Sequence, residues 1–149
     1  MSDLKKLLLK QCEAALAAKR KVLTESLSQI EESLLNETKS TAGDKHETGR
    51  AHMQIEQAKL QGMLADLKEQ ENQLQRISGL PQHLVNTGSV VETNHGEFFF
   101  AIALGKLNVA GKEIYVLSPN SPLGKQMQGK KAGDLLRVNN IDYNILSVQ

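Results

Sequence analysis

A chain of 149 residues has room for one domain or two small ones, and its 18 Lys and Arg against 17 Asp and Glu leave a net charge of +1. So balanced a composition excludes a general attraction to nucleic acid or an anionic membrane. The single cysteine, Cys12, excludes an internal disulfide and the paired-cysteine zinc motifs. No apolar run approaches the ~20 residues of a membrane span, and residues 1–10 are too short and too interrupted for a signal peptide, so the expected compartment is the cytoplasm.

Residue types divide sharply along the chain. All three prolines (Pro81, Pro119, Pro122), all five aromatics (Phe98, Phe99, Phe100, Tyr115, Tyr143) and eight of the eleven glycines lie after residue 78. Two differently built domains, residues 1–78 and 79–149, explain this division.

In the first half Leu9, Leu16, Leu23 and Ile30 recur every seven residues, with Leu27 and Leu34 as a partial second row that Glu13 and Arg20 break. Met53, Leu60, Leu67 and Leu74 repeat the spacing, joined by Met63, Leu64 and Ile77. Seven-residue apolar spacing keeps one stripe against a partner helix, and the intervening Lys, Glu, Gln and Ala are good helix formers. Helices from about residue 3 to about 39 and from about 47 to about 77 are predicted, the shorter about 45 Å long at ~1.5 Å per residue. So short a link as residues 40–44 favours an antiparallel hairpin.

The turn reads Gly43-Asp44-Lys45-His46-Glu47. Asp44 with Glu47 three residues on fits a helix capping box, and acidic groups suit a helix N-terminus; Thr41 with Asp44 is an alternative cap. The same two carboxylates, at the end of a long hairpin, are also placed to meet a distant site. Two are too few to hold Mg²⁺, which takes six oxygens, but they can complete a metal site whose other ligands belong to a partner. His46 and His52 have no third ligand at zinc spacing, and Lys39, Lys45 and Arg50 read as a solvated basic rim with phosphate contact as the sharper alternative.

Gly79-Leu80-Pro81 stops the second helix. Strand-like runs follow at 89–93, 97–104, 113–117, 135–138 and 143–148, with turns at Asn94-His95-Gly96, Ala110-Gly111 and Asn139-Asn140. One helix is predicted over 121–127, with Ser121 as N-cap and Pro122 at its first position. The expected fold class is α+β: a helical hairpin, then a mainly antiparallel sheet covering one short helix. Residues 124–131 nearly spell a phosphate-binding loop, but Lys131 replaces the required Ser/Thr and a turn follows where a helix must start. Ser118, His95 and Asp134 could form a hydrolytic triad only on paper, since no Gly-x-Ser-x-Gly elbow supports it.

Ser121-Pro122-Leu123, then Gly129-Lys130, then Gly133-Asp134, preceded by Ser118 and by Gly88 and Val90, follow in an order and spacing that resemble the C-terminal half of the Gre-type transcript cleavage factors of bacterial RNA polymerase. Gly43-Asp44 and Glu47 resemble that family's hairpin tip. The resemblance implies a coiled-coil hairpin followed by a domain of FK506-binding-protein-like fold. It further implies an RNA polymerase partner, contact with nascent RNA only through that polymerase, and a hairpin inserted in its secondary channel. Asp44 and Glu47 would help recruit a Mg²⁺ shared with the polymerase active centre, with Gly43, Lys45 and Arg50 as tip support. The factor would have no catalytic residue of its own, no stably bound cofactor, no small-molecule substrate and no membrane.

The tip departs from the family's pattern: Lys45 stands where an apolar residue is usual, and Thr48-Gly49-Arg50 replaces the customary Asn-Ala and the acidic-aromatic pair. A channel-binding regulator that does not promote cleavage is therefore the alternative. A peptidyl-prolyl isomerase on the C-terminal domain would need an aromatic lining, and of its three consecutive Phe only some are expected to face inward. A coiled-coil adaptor unrelated to transcription is the remaining reading.

Overall fold

The computed structural model describes residues 2–38 and 44–149, with the side chains of residues 37–47 outside the description. Helix α1 spans Asp3–Thr38 and α2 spans Asp44–Gln75. Neither contains proline, and both are dense in Leu, Ala, Lys, Glu and Gln, which lose little rotamer freedom in a helix. Together they form a hairpin. α2 begins at Asp44, three residues earlier than the sequence predicts, and ends at Gln75, where the chain tightens through Ile77 N–H donating to Leu74 O at 3.2 Å.

The described chain forms two compact units, residues 14–71 and residues 1–13 with 72–149. In the first, Leu16, Leu60 and Leu67 are buried, while Leu23, Leu27, Ile30, Leu34, Met53 and Leu64 are half-buried as the seven-residue rows require. Met63 is exposed, and Arg20 and Glu71 are half-buried on the seam. In the second unit the row changes phase: Leu8 and Cys12 are fully buried and Leu9 only half so. These first turns share a unit with the sheet, so they bury the face that this unit offers in place of the one the hairpin's repeat sets.

Six strands follow: β1 Val90–Thr93, β2 Gly96–Phe100, β3 Gly105–Val109, β4 Lys112–Leu117, β5 Leu135–Val138 and β6 Ile141–Val148, with α3 Pro122–Met127 between β4 and β5. They form one sheet in the order β3-β4-β2-β1-β6-β5. All neighbours are antiparallel except β2 and β4, which run parallel with Phe98 opposite Tyr115. The sheet is therefore mixed. β3 and β4 make a tight hairpin through Ala110 and Gly111, both at positive φ, which suits a two-residue turn. That hairpin enters the sheet β4 first, leaving β3 at the edge. β3 is not in the sequence-based reading, which ended one long strand at residue 104. The β5–β6 turn repeats the device at Asn139 and Asn140.

Alternation along β2 sends Phe98 and Phe100 to one face and Phe99 to the other, yet all three are buried, Phe99 at 0% exposure. β2 is therefore buried on both faces at this run, which corrects the expectation that only some of the Phe run faces inward. On the α3 face, Phe98 and Phe100 join Val85, Val91, Leu117, Met127 and Ile145 in one apolar cluster.

Candidate functional site

The Ser121-Pro122-Leu123 start of α3 is built by hydrogen bonds. Ser121 Oγ accepts from Gly124 N–H at 3.0 Å and donates to Ser118 O at 2.8 Å, which caps the helix, and Pro122 takes the first helical position. Gly124 is required here: a Cβ on it would collide with the Ser118 carbonyl oxygen. Leu123 packs on the apolar cluster.

The other motif residues shape turns. Gly129, at φ +77°, donates to Val85 O at 2.8 Å, and Lys130 O accepts from Val85 N–H at 2.8 Å. Gly133, at φ +93°, donates to Ile145 O at 2.7 Å. Asp134 Oδ2 accepts from Lys131 N–H at 2.9 Å, and Asp134 O accepts from Ile145 N–H at 3.0 Å. Gly129 and Lys130 thus tie the α3-to-β5 connection to the segment before β1, and Gly133 and Asp134 tie it to β6. No helix starts at Lys130, so residues 124–131 have the wrong geometry for a phosphate loop. Ser118 Oγ accepts from Asn120 N–H and Asp134 is engaged with Lys131, so neither joins His95 in a triad.

α3 is only six residues long and covers one part of its sheet face. The rest is an open cleft of about 600 Å³, lined by His95, Phe98, Tyr115 and Tyr143, with Pro122 and Leu123 at its α3 side. The rings support each other: His95 meets Tyr143 edge-on at 5.4 Å, Phe98 meets Tyr143 at 6.1 Å, and Phe98 lies 6.3 Å from Tyr115. Charges around it are paired, Lys106 with Glu113 at 3.2 Å and Lys112 with Glu97 at 3.7 Å. The cleft thus offers an apolar, aromatic floor and little net charge, suited to a compact apolar group.

Sequence reasoning missed this cleft. The available signal was a period of two: Phe98 stands two before Phe100, Tyr115 two before Leu117, and Tyr143 two before Ile145. In each pair the later residue is buried in the cluster and the earlier one lines the opening.

At the hairpin turn, Gly43 lies outside the described residues, as do the side chains of Asp44, Lys45 and Glu47. The backbone puts Asp44 first in α2 and Glu47 three positions on, so the two positions share a helix face. Arg50, one turn further, is half-buried. Among the described residues no group of three or more His, Cys, Asp or Glu gathers to hold a metal, and no helix is long and apolar enough to cross a membrane.

Fold and site together define a helical hairpin with an acidic start to its second helix, joined to a six-stranded mixed sheet bearing an aromatic cleft. No protein-family model and no curated protein matches the chain. Among solved structures it is similar to GreA factor homolog 1 (Gfh1) of Thermus thermophilus, at 18% identity over 91% of this chain and 93% of that one, TM-score 0.37. A structure of the transcription factor Gfh1 matches at 19% identity over 91% of each chain, TM-score 0.35. Thermus aquaticus Gfh1 matches at 21% over 86% of this chain and 92% of that one, TM-score 0.33. Likeness at this level leaves the function to this chain's own residues.

Proposed function

We propose that the protein is an RNA polymerase-binding elongation factor whose hairpin enters the polymerase's secondary channel and presents Asp44 and Glu47 near its active centre. The observation that carries this reading is the position of the two acids: they open α2, one helical turn apart, where the hairpin turns back. A carboxylate pair there supplies two of the six oxygens that Mg²⁺ requires, and the polymerase would supply others. The chemistry would be the polymerase's own, with a second Mg²⁺ and its water hydrolysing backtracked RNA. The factor would recruit and position without an active site of its own, and would act in the cytoplasm.

The altered tip, with Lys45 and Thr48-Gly49-Arg50, supports a variant of this reading in which the factor occupies the channel without promoting cleavage. A stalled, backtracked elongation complex made with the cognate polymerase separates them. RNA shortened on adding the protein supports the cleavage factor, binding without shortening supports the occupant, and no binding sinks both.

The aromatic cleft favours a second reading, a peptidyl-prolyl isomerase-like domain. Edge-to-face rings of this kind can hold a pyrrolidine ring, and an apolar surround disfavours the planar, more dipolar amide relative to the twisted one on the way over a barrier of about 18–20 kcal/mol. Catalysed isomerisation of a model X–Pro peptide, lost on Tyr143→Ala, would establish it. An unchanged rate with the wild-type protein removes it.

A further inference from the structure

The outer face of α1 carries a second regular row besides the one that makes the hairpin seam. Ala18, Lys21, Glu25, Ser28, Glu32 and Leu35 follow one another in steps of three and four, so they share one line along the helix. All six are exposed, Leu35 at 60%, and Val22 beside the row is exposed as much. The half-buried Leu23, Leu27, Ile30 and Leu34 occupy the opposite side of the helix, toward α2.

Charge along this helix is segregated. Residues 14–21 hold Lys19, Arg20 and Lys21 and no acid, while residues 22–36 hold Glu25, Glu31 and Glu32 and no base. Arg20 is engaged with Glu71, but Lys21, Glu25 and Glu32 make no ion pair or side-chain hydrogen bond among the described residues. Lys21 and Glu25 stand four apart in the less favourable order, lysine first, which leaves both charges open to another chain.

Such a row does not suit a parallel copy of itself, which would set Lys21 on Lys21 and Glu32 on Glu32. Turned antiparallel, it is its own complement. With a two-fold axis between positions 26 and 27, Lys21 faces Glu32 of the second copy and Ala18 faces its Leu35. Glu25 then faces Ser28, whose hydroxyl can donate to the carboxylate, and every contact occurs twice. Sliding by one heptad sets Leu35 against Gln11 or against Glu25 and loses the match. We infer that two copies of the chain associate through this face of α1, antiparallel, held by the two Lys21–Glu32 pairs and by cover for Val22 and Leu35. The row is about 26 Å long at ~1.5 Å per residue, so the interface is small and the dimer weak and salt-sensitive. This inference does not depend on the polymerase reading; on that reading a paired hairpin is twice as thick, and pairing would compete with channel entry.

The test is sedimentation equilibrium of the full chain from about 1 μM to about 1 mM, at low and high salt. A monomer–dimer equilibrium is expected, weakened by salt. Lys21→Glu and Glu32→Lys each turn both symmetric pairs from attraction to repulsion, so each should raise the dissociation constant about tenfold or more. The double variant Lys21→Glu with Glu32→Lys restores opposite charges and should return it to within about threefold of wild type. Both positions are exposed, so the variants are expected to fold, and circular dichroism confirms their helix content. A monomer at every concentration leaves this face to solvent or to another partner and overturns the inference. So does a dimer that the single reversals leave unchanged, or a loss that the double variant fails to rescue.

Discussion

Arg20 Nε donates to Glu71 Oε1 at 2.7 Å, joining two residues 51 positions apart across the helical hairpin. Arg20 had the look of a defect in the apolar row; it is half of an ion pair seated on the seam. Its guanidinium, chiefly through that hydrogen bond, holds the Glu71 carboxyl below its ordinary pKa. Both side chains retain contact with water. Glu71→Gln should therefore cost only about 0.5 kcal/mol at neutral pH, less in high salt. Since the folded-state pKa is the lower one, the contribution is present above the unfolded value of about 4.3 and is lost as pH falls through the folded value. Denaturant titrations of wild type and variant should differ at pH 7 and converge once the pH has fallen below the lowered folded-state value. A gap that widens in acid would contradict the pairing.

Cys12 is fully buried on α1. Burial, with the neighbouring Glu13 charge adding to it, pushes its thiol up to about 11. The reactive thiolate is therefore scarce at pH 8, and access is closed as well. A disulfide-exchange reagent should label the folded protein slowly, at a rate set by opening, and label the denatured chain at once. Equal rates in both states would show that the start of α1 is not packed as described.

Two glycines predict opposite signs. Gly62 lies inside α2 with nothing within 4 Å of a Cβ built on it, so Gly62→Ala should stabilise by about 1 kcal/mol. Gly124 would drive its Cβ against the Ser118 carbonyl, so Gly124→Ala should cost about 2 kcal/mol or more. Thermal unfolding followed at the sheet and at the helices would read both. A neutral Gly124→Ala would mean that the Ser118–Ser121 turn moves freely.

In β2 and β4 the covered and open parts of the sheet separate by mutation. Phe99→Ala removes a ring with no exposure and should cost about 3–5 kcal/mol. Tyr115 is 45% exposed at the cleft, and its truncation should cost about 1 kcal/mol. Comparable losses at the two positions would mean that the cleft is not open.

Much of this architecture is legible in the sequence because it is periodic or punctuated. Leu16, Leu60, Leu67 and Leu74 are buried as the seven-residue spacing requires, and Ser121-Pro122 starts α3 where the capping chemistry puts it. Leu9 is misassigned because the first turns of α1 answer to the sheet's unit, and sequence spacing reports only the partner helix. β3 escapes because the sequence reading ends its strand at residue 104 and assigns nothing to 105–109, although Lys106-Leu107-Asn108-Val109 alternates and is followed by a turn at Ala110-Gly111. The parallel pairing of β2 with β4 has no local signature, since consecutive strands ordinarily sit side by side. The aromatic cleft is hidden for the same reason: its rings come from β2, β4, β6 and the β1–β2 turn, and only the strand order brings them together.

The central claim is that two acids at the turn of the hairpin serve a polymerase's metal. Its most direct measurement compares wild type, Asp44→Asn and Glu47→Gln for cleavage of backtracked RNA in stalled complexes of the cognate polymerase, with binding measured in parallel. Neutralising either acid keeps its size, so polymerase affinity should be unchanged while the cleavage rate falls by about tenfold or more, the loss of one charged metal ligand. Cleavage that is undiminished in both variants, at equal binding, would contradict the claim.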